Sequence, residues 1–387
     1  MENIISIGKA CVGCGACAQI CPQKCIRLKS NAEGFLYPVV DDAKCSNCGA
    51  CLKHCPQGVP RIVQHHPIAT YGIKNQNNQE LYESASGGAA DIAAKSIIER
   101  GGIVFGAAYA EDWSVHHIAI WEDEERKRLR SSKYVQSDVG DCYLKAKKEL
   151  ENGRLVLFTG TPCQIDGLLF FLGRTYDNLF TLDLICHGVP SPLLFKKYIE
   201  WQKEKMGGKI IYYNFRSKDK RGWGTQYLIK TKTKTKTKTN ELCLDRYGKH
   251  FMDGDCYRDC CYDCRYSNID RPADMTVGDF WGIQNSHPKF YSSGGVSSAM
   301  ISTDNGKTLF EWMKKYSEYI ECSMQDVLEK QGNLMTPTIR PAPRAKFYAE
   351  INQKNDYINT MRVGLQLKKR LKSVLPKKIL LWLKTKI

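Results

Sequence analysis

The chain has 387 residues, 18 cysteines and a formal charge of +16, which leaves room for a small module and one or two full-sized domains. Fourteen positive charges sit in two segments: five in Lys230, Lys232, Lys234, Lys236 and Lys238, and nine between Arg362 and the end. The remaining body is near neutral, which argues against a general nucleic-acid face, and no apolar run approaches the roughly 18 residues of a bilayer span.

Met1 to Lys9 lacks a cationic region followed by an apolar core, so no signal peptide is expected and a cytoplasmic setting follows. In a reducing compartment the cysteines are expected to be metal ligands and buried thiols rather than disulfides.

The chain opens with two runs of one pattern, Cys11-x2-Cys14-x2-Cys17-x3-Cys21-Pro22 and Cys45-x2-Cys48-x2-Cys51-x3-Cys55-Pro56, repeated at 34 residues. This is the bacterial ferredoxin spacing, in which the fourth cysteine of each run ligates the other cluster. Cys11, Cys14, Cys17 and Cys55 are therefore assigned to one 4Fe–4S cluster, and Cys45, Cys48, Cys51 and Cys21 to a second. Gly13, Gly15, Ala16, Gly49 and Ala50 keep each loop close to its metal. Structural zinc would use paired C-x2-C knuckles instead. Residues 1–62 are read as this module, held together largely by its metal. Cys25 reads as a packed thiol.

After a polar stretch, apolar runs alternate with helical patterns, so the fold class expected is α+β/α/β: a two-cluster module followed by an α/β body. The patterns predict helices over Asp91–Arg100, Asp138–Glu151 and Gln164–Leu172. They predict strands over Gly102–Ala108, Val115–Trp121, Arg154–Thr159 and Leu179–Cys186. Cys163 and Cys186 each follow a buried strand, so adjacent parallel strands would bring both to one edge. Thr231–Thr239 alternates Lys and Thr, which suits an exposed edge strand or hairpin arm. Cys261-x2-Cys264 has ligand spacing, whereas Cys142, Cys243 and Cys322 read as buried small hydrophobes. Asn359–Ile387 mixes leucines, Trp382 and cations around Pro376, as a basic amphipathic helix pair would at the inner face of a membrane. Packing on the body or on a partner is the alternative.

Ser84-x-Ser86-Gly87-Gly88, Gly101-Gly102-x3-Gly106, Ser132-Lys133-Tyr134-Val135-Gln136-Ser137, Gly160-Thr161-Pro162-Cys163-Gln164, Cys186-His187-Gly188, Cys261-x2-Cys264 and Gly278-Asp279-Phe280-Trp281-Gly282 occur in this order. On these motifs the chain, over roughly residues 1 to 340, resembles the beta subunits of coenzyme F420 hydrogenase/dehydrogenase and their bacterial relatives. The resemblance implies a flavin (FAD) enzyme in which clusters pass electrons between a one-electron carrier, such as a ferredoxin, and the flavin. Relatives reduce a deazaflavin or a tetrapyrrole, and some bacterial ones are linked to surface-polysaccharide synthesis. It divides the body at 80–158 and 159–340; the basic tail, over 346–387, lies beyond it.

The resemblance also implies a third cluster held by Cys163, Cys186, Cys261 and Cys264, with Cys260 and Cys256 as competing ligands. For the flavin there is no Rossmann fingerprint, since Gly101-Gly102-x3-Gly106 lacks its spacing. Ser84, Ser86, Gly87 and Gly88 can instead present hydroxyls and amides to a pyrophosphate at a helix start, although an ordinary capped helix gives the same pattern. Lys133 could add a cation near the phosphates or flavin. Ser132, Tyr134, Gln136 and Thr161 join the candidates through the resemblance. His187 is a candidate proton donor, against the alternative that it only hydrogen-bonds the loop. An organic substrate is expected; the rivals are an electron relay without its own substrate and a membrane-associated redox-sensing binding protein.

Overall fold

The computed structural model describes residues 3–58, 64–232, 237–354 and 361. The amino-terminal module contains α1 (Ala16–Ile20), β1 (Ile26–Ser30), β2 (Leu36–Val40) and α2 (Ala50–Lys53). Then come β3 (Ala69–Asn75), α3 (Asn78–Glu83), α4 (Ala89–Ile98), β4 (Ile103–Tyr109) and β5 (Val115–Ile120). The chain continues through α5 (Cys142–Glu151), β6 (Val156–Gly160), α6 (Pro162–Leu172), β7 (Leu179–Leu184) and α7 (Pro192–Met206). A second sheet uses β8 (Ile210–Asn214), β9 (Gln226–Thr231) and β10 (Thr237–Glu241), followed by α8 (Arg246–Asp253). The last elements are β11 (Met275–Asp279), α9 (Ile283–Ser286), β12 (Ser297–Ile301), α10 (Asp304–Met313), β13 (Ser317–Glu321), α11 (Met324–Leu328) and α12 (Pro343–Lys354).

The main sheet has eight strands in the order β13-β3-β12-β11-β7-β6-β4-β5. Its middle four, β11, β7, β6 and β4, run parallel, and the flanking pairs are antiparallel. Side chains alternate between two cores. Val104, Leu157 and Phe180 face the helices α4 and α10, while Ile103, Phe105, Val156, Phe158 and Leu179 face α5 and α6. Burial on both faces explains why these strands read as continuous apolar runs. A third core, dense in aromatics such as Phe195, Tyr198, Tyr213, Phe215 and Tyr247, joins α7 and α8 to the three-stranded sheet β10-β9-β8.

The expected helices and strands of the body are present, with shifted ends. The largest shift is at α5, which starts at Cys142 rather than Asp138. Asp138 is held extended, pairing with His116 and accepting the His117 amide through its carbonyl, and Gly140 turns the chain at φ +57°. Helix α6 begins at Pro162, two residues before the expected Gln164, because Thr161 and Gln164 form a reciprocal cap and Pro162 takes the first turn; Gly173 ends it at φ +66°. β10, which carries the end of the Lys-Thr run, is an edge strand paired antiparallel with β9, Thr237 opposite Lys230; residues 233–236 lie outside the described residues. The predicted amphipathic tail beyond Lys354 lies outside the described residues, Met361 apart. No described helix is long and apolar enough to cross a membrane.

The module is bolted to the body by polar contacts. The Gln19 side chain accepts the Tyr143 and Leu144 amides at the start of α5, both at 3.1 Å. His54 Nδ1 meets the Phe170 carbonyl at 2.6 Å, Gln57 donates to Tyr266 Oη at 2.9 Å, and Arg265 donates to the Pro56 carbonyl at 2.7 Å. Arg344 of α12 grips Glu33 with both Nη atoms, at 2.9 and 2.7 Å. At the centre, Gly167 of α6 lies against Cys14; a Cβ there would come within 2.8 Å of Cys14 Cβ and 2.9 Å of its Sγ. Gly167→Ala should overpack this seam by about 1–3 kcal/mol, and the expected outcome is a lower midpoint in denaturant with iron lost early in the transition. An unchanged midpoint would remove the seam from the account.

Candidate functional site

The site is built from the carboxyl ends of the parallel strands, the usual ligand position in open α/β sheets. β6 ends at Gly160 and delivers Thr161 and Cys163. β7 ends at Leu184 and delivers Cys186 and His187. β11 ends at Asp279 and delivers Trp281. β6 and β7 are parallel neighbours, with Gly160 opposite Asp183, so the two loops lie side by side. The module brings Val12 of its first cysteine loop to the same edge.

In the first loop, Gly13 and Gly15 adopt left-handed geometry at φ +71° and +79°, which glycine adopts without strain. Cys11, Cys14, Cys17 and Cys55 face one another. Burial raises the Cys14 thiol well above its ordinary value, and Cys17, Cys11 and Cys55 push it further. Cys17 is driven to about 12, by burial and then by Cys11 and Cys55. Three buried thiols and the half-buried Cys11, repelling each other's thiolates, suit a site where bound iron supplies the compensating positive charge. On the other side of the module, Cys21 Sγ lies 3.4 Å from Cys25 Sγ, Cys45 also bears on Cys25, and Cys48 is exposed. Cys25 is thus a fifth thiol beside the second set.

A second cavity, of about 200 Å3, opens between the module and the body and is lined by Cys163, Cys186, Cys260, Cys261 and Cys264. Cys163 is raised by burial despite a hydrogen bond with Thr161, and Cys264, Cys186 and Cys260 add to the rise. Cys186 is pushed to about 12, by burial and then by Cys264. Both neighbours Cys260 and Cys261 therefore reach the cavity. Cys256 does not; it is buried among Tyr247, Tyr257 and Tyr348 in the aromatic core. Among the described residues no three His, Cys, Asp or Glu close on a single-ion point; these thiols surround a space. The buried Arg271 braces its floor, donating to Asp183 at 3.1 Å, to the Leu184 carbonyl at 2.8 Å and to the Tyr266 carbonyl at 2.7 Å.

Beyond Thr161, Cys163, Cys186 and His187 lies a larger cavity, of about 290 Å3. Ser84, Ser86, Gly88, Ser132, Lys133, Tyr134, Gln136, Thr161 and His187 all line it. Gly88 is the left-handed start of α4, and no side chain caps that end, so its first-turn amides are available to an anion. Ser84 and Ser86 donate to the carbonyls of Glu80 and Val296 at 2.8 and 2.7 Å, leaving oxygen lone pairs. Gly87 has a different task. A Cβ there would strike the Ile73 carbonyl at 2.0 Å and the Ser297 amide at 2.4 Å, so it lets the loop press against the paired ends of β3 and β12.

Lys133 departs from expectation. Its ammonium turns into its own loop and donates to the carbonyls of Arg128, Leu129, Arg130 and Ser131 at 2.9–3.3 Å; burial lowers it to about 7. Arg130 is likewise engaged, by Glu80, Glu83 and Asp91. An anion at α4 would rest on the first-turn amides. Gln136 is a connector: Nε2 donates to the Val12 carbonyl at 2.9 Å, while Oε1 accepts from Arg258 at 3.2 Å. The far wall is a buried ion pair that the sequence did not reveal. Arg216 binds Asp279 through two bonds of 2.7 Å, Trp223 adds a third at 2.6 Å, and Tyr134 Oη accepts from Arg216 at 3.0 Å. Trp281 stacks on Trp223 at 4.6 Å.

The two cavities share a wall made of Val12, Thr161, Cys163, Cys186, His187, Gly188 and Val189. Burial chiefly lowers the His187 ring from its ordinary value, and Asp279 opposes this. The His187 carbonyl accepts from Thr338 at 2.7 Å.

Residues 153–326 match the family described as the carboxyl terminus of the coenzyme F420 hydrogenase/dehydrogenase beta subunit. Residues 10–59 match the 4Fe-4S dicluster domain. No curated protein matches the chain. Among solved structures, a chain from the xenon-derivatised F420-reducing NiFe hydrogenase complex of Methanosarcina barkeri is similar at 17% identity, covering 77% of this chain and 94% of that one with a TM-score of 0.45.

Proposed function

With residues 153–326 belonging to the family of carboxyl-terminal regions found in the beta subunits of coenzyme F420 hydrogenases and dehydrogenases, behind a 4Fe–4S dicluster module, we propose an iron–sulfur flavoprotein oxidoreductase. It takes electrons from a ferredoxin-like carrier at the module and delivers them to an organic substrate at FAD. The observation that carries this reading is the shared wall: a five-thiol cavity on one side, a larger cavity ending at an uncapped helix start on the other.

Within that reading, Cys11, Cys14, Cys17 and Cys55 hold one cluster and Cys21, Cys45, Cys48 and Cys51 another. Cys163, Cys186 and Cys264 hold a third, with Cys260 or Cys261 as fourth ligand. The amide end of α4, with Ser84, Ser86 and Gly88, takes the pyrophosphate. Ser132, Tyr134, Gln136 and Thr161 border the rest of the cofactor. When bound, the flavin pairs the single electrons that clusters deliver. The chain's own residues orient and seal: Arg216 and Asp279 lock the far wall, and Val12 and Gln136 fasten the module to the cavity. His187 is the candidate substrate-side proton carrier by position alone. A basic tail touching a membrane would suit the surface-polysaccharide link of some relatives.

Reduced low-potential ferredoxin, added without oxygen, should bleach cluster and flavin absorbance together in the full chain. Clusters that reduce while the flavin stays oxidised would sink the proposal.

A further inference from the structure

Arg258 lies between the first cysteine loop and the five-thiol cavity, 247 positions along the chain from its partner Cys11. It is completely buried. Its Nε donates to the Cys11 carbonyl at 2.7 Å, its Nη1 to Gln136 Oε1 at 3.2 Å, and its guanidinium lies 4.0 Å from the centre of the Tyr37 ring. Gly13 passes so close that a Cβ there would meet Nη1 at 2.9 Å.

The other buried arginines all have acids. Arg126 has Glu80 and Asp91, Arg216 has Asp279, Arg271 has Asp183, and Arg344 has Glu33. Among the described residues no carboxylate pairs with Arg258, and its Nη2 has no hydrogen-bond partner. An uncompensated buried charge is strongly unfavourable, so a negative group outside the protein's own carboxylates must balance it. The thiols that bear on its charge are Cys11, Cys260 and Cys261, one from the first set and two from the five-thiol cavity.

We propose that Arg258 is a positioning residue that clamps the first cysteine loop to the five-thiol cavity and whose fixed charge favours the reduced state of the clusters on either side of it. Adding an electron to a cluster adds negative charge, and a nearby cation in a low-dielectric interior stabilises that form. The second cysteine set, which includes the exposed Cys48, gains no such cation from Arg258, so electrons entering there are drawn inward. This rests on the three-cluster reading.

The test is an EPR-monitored redox titration of the full chain, purified without oxygen, as parent, Arg258→Gln and Arg258→Lys. With iron equal to the parent, Arg258→Gln should lower at least one cluster midpoint, changing its reduced-to-oxidised ratio about tenfold, or about 59 mV for one electron. Arg258→Lys, which keeps the charge, should stay near the parent. Unmoved midpoints in an iron-replete Arg258→Gln overturn the inference. Should Arg258→Gln lose iron, Arg258→Lys decides: parent-like midpoints support the charge, and a tenfold fall overturns it. A parent protein with no iron at the five-thiol cavity defeats the underlying reading as well.

Discussion

The Cys163→Ser variant is expected to lose about four of about twelve irons, at four per cubane, while both module clusters survive. Serine offers a hard oxygen where a soft thiolate is required. Cys163 is the sharpest position for the test, because it enters the cavity alone from the start of α6 and no adjacent cysteine can replace it. Cys261→Ser is expected to do less, since Cys260 lines the same cavity. Cys256→Ser, in the aromatic core, should leave iron untouched. Unchanged iron in Cys163→Ser would remove the third site.

The second large effect is expected at Asp279. Asp279→Asn keeps the shape but strips the counter-charge from Arg216, and breaking a buried pair this way costs about 3–5 kcal/mol. Burial alone would raise the Asp279 carboxyl, but Arg216, helped by Trp223, holds it below the ordinary range. The sign follows: the pair's stabilisation is fully present above the unfolded carboxylate value of about 3.9 and is lost as pH falls through the lower folded value. Denaturant unfolding at neutral pH should show the full loss in Asp279→Asn. Its stability should then fall less steeply than the parent's below about pH 4. Adding Arg216→Gln should recover part of the loss, because both charges are then gone. A neutral single variant would mean that the wall is not held by this pair.

The cysteine runs and the parallel core were legible because their signals are local. A thiolate loop needs fixed spacing, and a strand buried on both faces needs an unbroken apolar run, as Val156–Phe158 shows. The loops of Cys163 and Cys186 followed from the strands before them. Arg258, Arg271 and the Arg216–Asp279 pair could not be read in advance. Their partners lie 247, 88 and 63 residues away, and nothing periodic marks a side chain that reaches across the fold. Gly87 and Lys133 were noticed for their chemistry, yet sterics turn Gly87 against β3 and β12, and four carbonyls hold Lys133 in its own loop. The start of α5 moved because Asp138 pairs with a strand, which no helical pattern betrays.

The central claim is that a two-cluster module feeds a third cluster and a flavin within one chain. Iron and flavin content of protein purified without oxygen tests it most directly. The account predicts about twelve irons, at four per cubane, and one FAD per chain. About eight irons and no flavin would contradict it, and would leave a dicluster ferredoxin joined to a body that does not bind either cofactor.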